Sequence, residues 1–80
     1  MEVYGMSIFY ESEQDKIIRI QVFAIEAYKN KHKLSQQEIV NILEKYELSQ
    51  FIQDNYELFG GVGTNAIVDE IESYIKECQN

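Results

Sequence analysis

An all-α fold, a small bundle of about four helices around a central first helix, is what this sequence predicts, and three observations predict it. No proline occurs in 80 residues, three of the four glycines are gathered between Gly60 and Gly63, and apolar residues elsewhere recur at helical spacing. Proline and glycine are the residues that interrupt helices, so a chain that confines them to one place leaves long helical runs intact. At 45% hydrophobic and 26% charged residues the composition is that of a folded globular chain. So short a chain buries one modest core and cannot be divided into two.

Residues 1–11 contain Val3, Tyr4, Met6, Ile8, Phe9 and Tyr10 without a clear period, broken by Gly5. They read as an irregular N-terminal arm whose order the sequence leaves open, with residues 12–80 as a single helical domain. An apolar arm can pack on its own bundle or on a second copy, which makes it the route to a homo-oligomer. Tyr4 and Tyr10 are candidate partner-binding residues, because a tyrosine anchors an interface through an apolar ring and a polar tip; the other four tyrosines read as half-buried core.

The first helix is expected to start after Ser12, whose hydroxyl can accept from an unpaired backbone N–H, with Glu13 and Asp15 at the positive end of the dipole. It should run to about Asn30. Its apolar positions, Ile17, Ile18, Ile20, Val22, Phe23, Ala24, Ile25, Ala27 and Tyr28, wrap most of the circumference and leave Asp15, Arg19, Glu26 and Asn30 as a polar strip. A helix apolar on nearly all sides is one that neighbours surround. Gln21 projects within the apolar arc, where its amide needs partners.

Ser35-Gln36-Gln37-Glu38 is a capping box, flanked by Leu34 and Ile39 as a hydrophobic staple. It opens a second helix with Ile39, Val40, Ile42, Leu43 and Tyr46 on one stripe and Asn41, Glu44 and Lys45 opposite. Leu48-Ser49 reads as a new cap, followed by a helix of about two turns ending before Glu57. The glycines at 60–63 read as a positive-φ helix stop, with Thr64 or Asn65 capping a last helix from about Asn65 to Cys78. That helix divides cleanly, with Ile67, Val68, Ile71, Tyr74, Ile75 and Cys78 on one face and Asp69, Glu70, Glu72 and Glu77 on the other.

The net charge of −7 is unevenly placed: residues 1–33 balance five basic against five acidic groups, while residues 34–80 set Lys45 and Lys76 against nine acids. Such a surface repels phosphate backbones and anionic lipid and attracts a basic protein, so Asp69, Glu70 and Glu72 are candidate partner-binding residues and nucleic acid is disfavoured. The same charge also serves solubility. No apolar run approaches the roughly 20 residues that cross a bilayer. A single cysteine forms no internal disulfide and no signal-type start opens the chain, so a cytoplasmic setting is expected.

No catalytic, cofactor or metal residue is assigned. His32, between Lys31 and Lys33, reads as solvated and Cys78 as a buried core thiol. One histidine and one cysteine fall short of a zinc site, and the carboxylates lack the spacing of a calcium loop. Gly60-Gly61-Val62-Gly63-Thr64 ahead of a helix has the outline of a phosphate cradle but lacks the lysine and the preceding strand. The pair at 35–56 has the outline of a helix-turn-helix, yet a recognition segment beginning near Ser49 offers Gln50, Gln53, Asp54 and Asn55 and no cation.

From about Lys16 to Lys76 the order of features resembles a family of small bacterial proteins known only as a domain of unknown function. The likeness is carried by Phe23-Ala24-Ile25-Glu26-Ala27-Tyr28 with Lys31-His32, by Leu34-Ser35, Tyr46 and Tyr56-Glu57-Leu58, and by Ile67 through Ile75. In that family a histidine commonly follows the leucine equivalent to Leu58; here the residue is Phe59, so no role of that histidine carries over. The resemblance implies a partner of a neighbouring toxin-like protein, often of ADP-ribosyltransferase type, hence an antitoxin or immunity-type binder. The expected function is a non-catalytic protein-interaction module with a basic partner; the alternative is a small DNA-associated regulator using residues 35–56.

Overall fold

Ser12 opens α1 as expected: its hydroxyl accepts from the Asp15 N–H at 3.1 Å, and Glu13 and Asp15 stand in the first turn. The computed structural model describes residues 12–79, so the expectations for the arm at 1–11, including Tyr4 and Tyr10, lie outside the described residues. Within 12–79 the chain is a small all-α bundle: α1 Glu13–Lys31, α2 Gln36–Tyr46, α3 Leu48–Asp54, α4 Tyr56–Phe59 and α5 Thr64–Gln79. The expected third helix is thus two, parted at Asn55, whose side-chain amide donates to the Phe51 carbonyl at 2.8 Å.

One apolar core holds these helices together. Ile20, Ala24 and Tyr28 of α1 meet Ile39 of α2, Leu48 and Ile52 of α3, Phe59 of α4, and Ile67, Val68, Ile71 and Ile75 of α5. Burying each large aliphatic residue contributes about 1.5–3 kcal/mol before chain entropy is set against it. Phe59 is 2% exposed and meets Phe51 edge-on, with ring centroids 5.9 Å apart.

Helix α1 is central in that α3, α4 and α5 all pack on it, α5 most extensively. It is not wrapped on nearly all sides, which corrects the reading from its sequence. Only Ile17, Ile20, Ala24 and Tyr28 are buried, one arc of the helix, while Ile18, Val22 and Phe23 are about half exposed. Apolar residues all round a helix therefore overstated what three neighbours, two of them short, can cover. Gln21 does find the partner its position demands, donating to the Ser49 carbonyl at 2.9 Å and joining α1 to α3.

The connections hold two departures. At the end of α1 the Leu34 N–H donates to the Lys29 carbonyl at 3.0 Å and the Lys33 N–H to that of Asn30 at 3.3 Å, with Lys33 at φ 54°. This is a Schellman stop, in which the left-handed position usually falls to glycine. Glu47, at φ 49°, is a second left-handed residue and turns α2 directly into α3. Ser49 therefore lies inside α3 and is not its cap. Gly60, Gly61 and Gly63, by contrast, show no positive φ, which overturns the positive-φ reading of 60–63, and Thr64 is the first residue of α5 instead of its cap. At Gly60 the packing is close: a Cβ there would sit 3.3 Å from Ile20 Cδ1 and 3.4 Å from the Tyr56 carbonyl oxygen, so the Ile20 side chain would have to give way slightly.

Because a β-carbon is strained in the left-handed region, Lys33→Gly is expected to raise stability by about 0.5–1 kcal/mol, net of the greater freedom glycine gains in the unfolded chain. Urea unfolding followed by circular dichroism reads this directly. A loss of stability would show that Lys33 does not occupy that conformation.

Candidate functional site

The capping box places α2 and, with it, the end of α1. Glu38 N–H donates to the Ser35 hydroxyl at 3.1 Å and the Ser35 N–H to the Glu38 carboxylate at 2.8 Å, while Lys29 Nζ donates to Gln36 Oε1 at 3.1 Å. The α1 terminus so fixed carries Lys31 and His32 across to α5, where Glu72 Oε2 receives both, at 3.2 Å from Lys31 Nζ and 2.7 Å from His32 Nε2. The His32 ring also rests on that of Tyr28, centroids 4.5 Å apart. His32 is exposed, as its flanking lysines suggested, and is at the same time a structural partner of α5 through Glu72.

Glu72 consequently leaves the set of outward carboxylates. The Lys31 ammonium first, and the His32 ring second, hold its carboxyl below the ordinary carboxylate range. A carboxylate depressed in the folded state contributes stability above its unfolded pKa and loses it as pH falls through the folded one. Acidification below the ordinary carboxylate range is therefore expected to weaken the α1–α5 tie. In Glu72→Gln that part of the acid limb should flatten in melting curves taken across pH, while an unchanged acid limb would show that the pair contributes nothing.

Asp69 and Glu70 are exposed and have no bonded partner among the described residues; they remain the outward carboxylates of α5. At the far end of that helix Tyr74 stacks on Phe51, centroids 4.0 Å apart, and its hydroxyl donates to the Tyr46 carbonyl. Burial foremost raises the pKa of this phenol, as it does that of Tyr28. Cys78, expected in the core, is exposed: it lies on the apolar stripe, but in the last turn, beyond what the shorter helices cover. It stands six residues from Glu72, about 9 Å along the axis, so His32 and Cys78 do not share a site.

What the sequence reading missed is apolar. Phe23, Leu58 and Val62 are 52%, 50% and 37% exposed. Leu58 and Val62 flank Gly60, which abuts Ile20 of α1, by two residues each, and Phe23 follows Ile20 along α1 by about one turn. Their exposure had no signal in the sequence, because a helix wheel tells which residues are apolar and not which neighbours reach them.

Among the described residues no group of three His, Cys, Asp or Glu side chains converges as a cation site, and no helix is long and apolar enough to cross a membrane. The 35–56 pair gathers no cation beyond Lys45, and α3 turns Leu48 and Ile52 fully inward. A family described as "Protein of unknown function (DUF3791)" matches residues 19–78. No curated protein and no solved structure matches the chain.

Proposed function

Since the chain belongs to the DUF3791 family of proteins of unknown function, we propose a function from its own surface: a non-catalytic protein-interaction module that binds a basic protein. The observation that carries this reading is the set of large apolar side chains, Phe23, Leu58 and Val62, left in water around the α1–α4 junction. Apolar groups rimmed by polar ones are what association buries. Charge supplies the sign of the partner, for Glu57 adjoins Leu58, Asp69 and Glu70 are exposed on the next helix, and the chain carries −7 in all. A partner presenting one or two apolar anchors among lysines and arginines matches both features. The resemblance to partners of toxin-like proteins makes a basic toxin-type protein, with this chain as its neutralising partner, the first to test.

The test is binding to a partner recovered from the native host and then purified. Asp69→Lys with Glu70→Lys should weaken it about tenfold at low salt, mainly through slower association. Phe23→Ala should weaken it by a similar factor through faster dissociation. Glu72 is kept, since reversing it would disturb the α1–α5 tie and confuse folding with binding. Affinity unmoved by both changes would refute the reading.

A further inference from the structure

One side of α1 is turned away from the bundle and carries a pattern of its own. Ile18 and Val22, 48% and 56% exposed, recur with half-buried Ile25 at i, i+4 and i+7, and Val22 lies about 160° round the axis from Ala24 of the core. Asp15 precedes Ile18 by three residues and Lys29 follows Ile25 by four. From Asp15 to Lys29 the stripe thus has the alternating three-and-four spacing of a helix seam, apolar at its middle and oppositely charged at its two ends. Exposed Arg19 and Glu26 run beside it, each one residue after an apolar member, and they too differ in sign.

We infer that this stripe is a self-association surface, on which α1 of a second copy lies antiparallel across a twofold axis at Val22. The order of the charges selects that occupant. Turned end for end about Val22, the stripe sets Val22 on Val22, Ile18 within one residue of Ile25 of the second copy, Asp15 level with its Lys29, and Arg19 within one residue of its Glu26. Each of these charges then meets its opposite, and the surface is self-complementary, as a twofold interface must be. A parallel pair would instead set Asp15 on Asp15 and Lys29 on Lys29. Lys29 Nζ donates to Gln36 Oε1 at 3.1 Å, a neutral partner, and so keeps its charge for the second copy. The wider field agrees, because residues 34–80 carry the whole −7 while residues 1–33 balance, which makes α1 the side on which two acidic chains approach with least repulsion. The inference does not rest on the basic partner proposed above, which is drawn to Glu57, Asp69 and Glu70 on other helices.

Sedimentation equilibrium of the full chain tests this, with a passage from monomer to dimer mass expected as concentration rises about a hundredfold through the micromolar range. Val22→Glu should raise the dimer dissociation constant at least about a hundredfold, since it sets two carboxylates face to face in an apolar contact. Its helical circular dichroism should match that of the unaltered chain, because Val22 is exposed in the single copy. Direction is read by cross-linking under mild oxidation, with Cys78→Ser removing the exposed native thiol. Val22→Cys, on the axis, should link to itself. Ile18→Cys should link only when mixed with Ile25→Cys, because two Ile18 positions stand about 12 Å apart along an antiparallel pair, too far for a disulfide. Monomer mass at every concentration, dimerisation indifferent to Val22→Glu, or self-linking of Ile18→Cys would each overturn the inference.

Discussion

Replacing Ile71 with alanine should cost about 3 kcal/mol, within the 2–5 kcal/mol usual for emptying a closed aliphatic site. Ile71 is fully buried at the middle of α5, the helix that packs most extensively on α1, so the void opens between the two longest elements. In a chain of this length each kcal/mol shifts the melting point by about 4–8 °C. A drop of about 12–24 °C is therefore expected in a thermal melt followed by circular dichroism, against almost none for Asp69→Ala on the outer face of the same helix. Equal, small shifts for both variants would mean that α5 does not dock through this face.

Tyr74 is the second site of large effect, and there two variants separate two causes. Tyr74→Phe keeps the ring stacked on Phe51 and loses the hydroxyl that donates to the Tyr46 carbonyl at the end of α2, a change of about 1 kcal/mol. Tyr74→Ala loses the ring as well, for about 3 kcal/mol in all. Denaturant unfolding of both reads the difference as the contribution of the aromatic stack. If the two variants proved equally unstable, the stack on Phe51 would be without energetic weight and Tyr74 would act through its hydrogen bond to α2 alone.

What the sequence made legible was chiefly local. Ser12 and the Ser35–Glu38 box announce helix starts because cap and recipient are three residues apart, and Gln21 could be read as needing a partner because an amide in an apolar arc has few alternatives. Lys33 and Glu47 could not be read as left-handed residues, since neither side chain favours that conformation; surrounding packing imposes it. Glu72 was placed outward by its own helix wheel, which knows nothing of Lys31 and His32 some 40 residues earlier. Cys78 failed for the reverse reason: its wheel position is apolar, but at the helix end no neighbour extends far enough to cover it. The candidate site fared accordingly. Asp69 and Glu70 keep the surface position the sequence assigned, while the exposure of Phe23, Leu58 and Val62 depends on which helices turn out to be short.

No charged side chain, and no polar one apart from the phenol of Tyr28, is buried among the described residues. The interior is thus blind to the sign of whatever sits outside it. Carboxylates on the outer faces of α2 and α5 can be exchanged for amides or lysines with little consequence for folding, the Glu72 tie and the Glu38 cap excepted. A scaffold of this kind can be retuned from an acidic to a neutral or basic ligand surface by exterior substitutions alone, without any compensating rearrangement within.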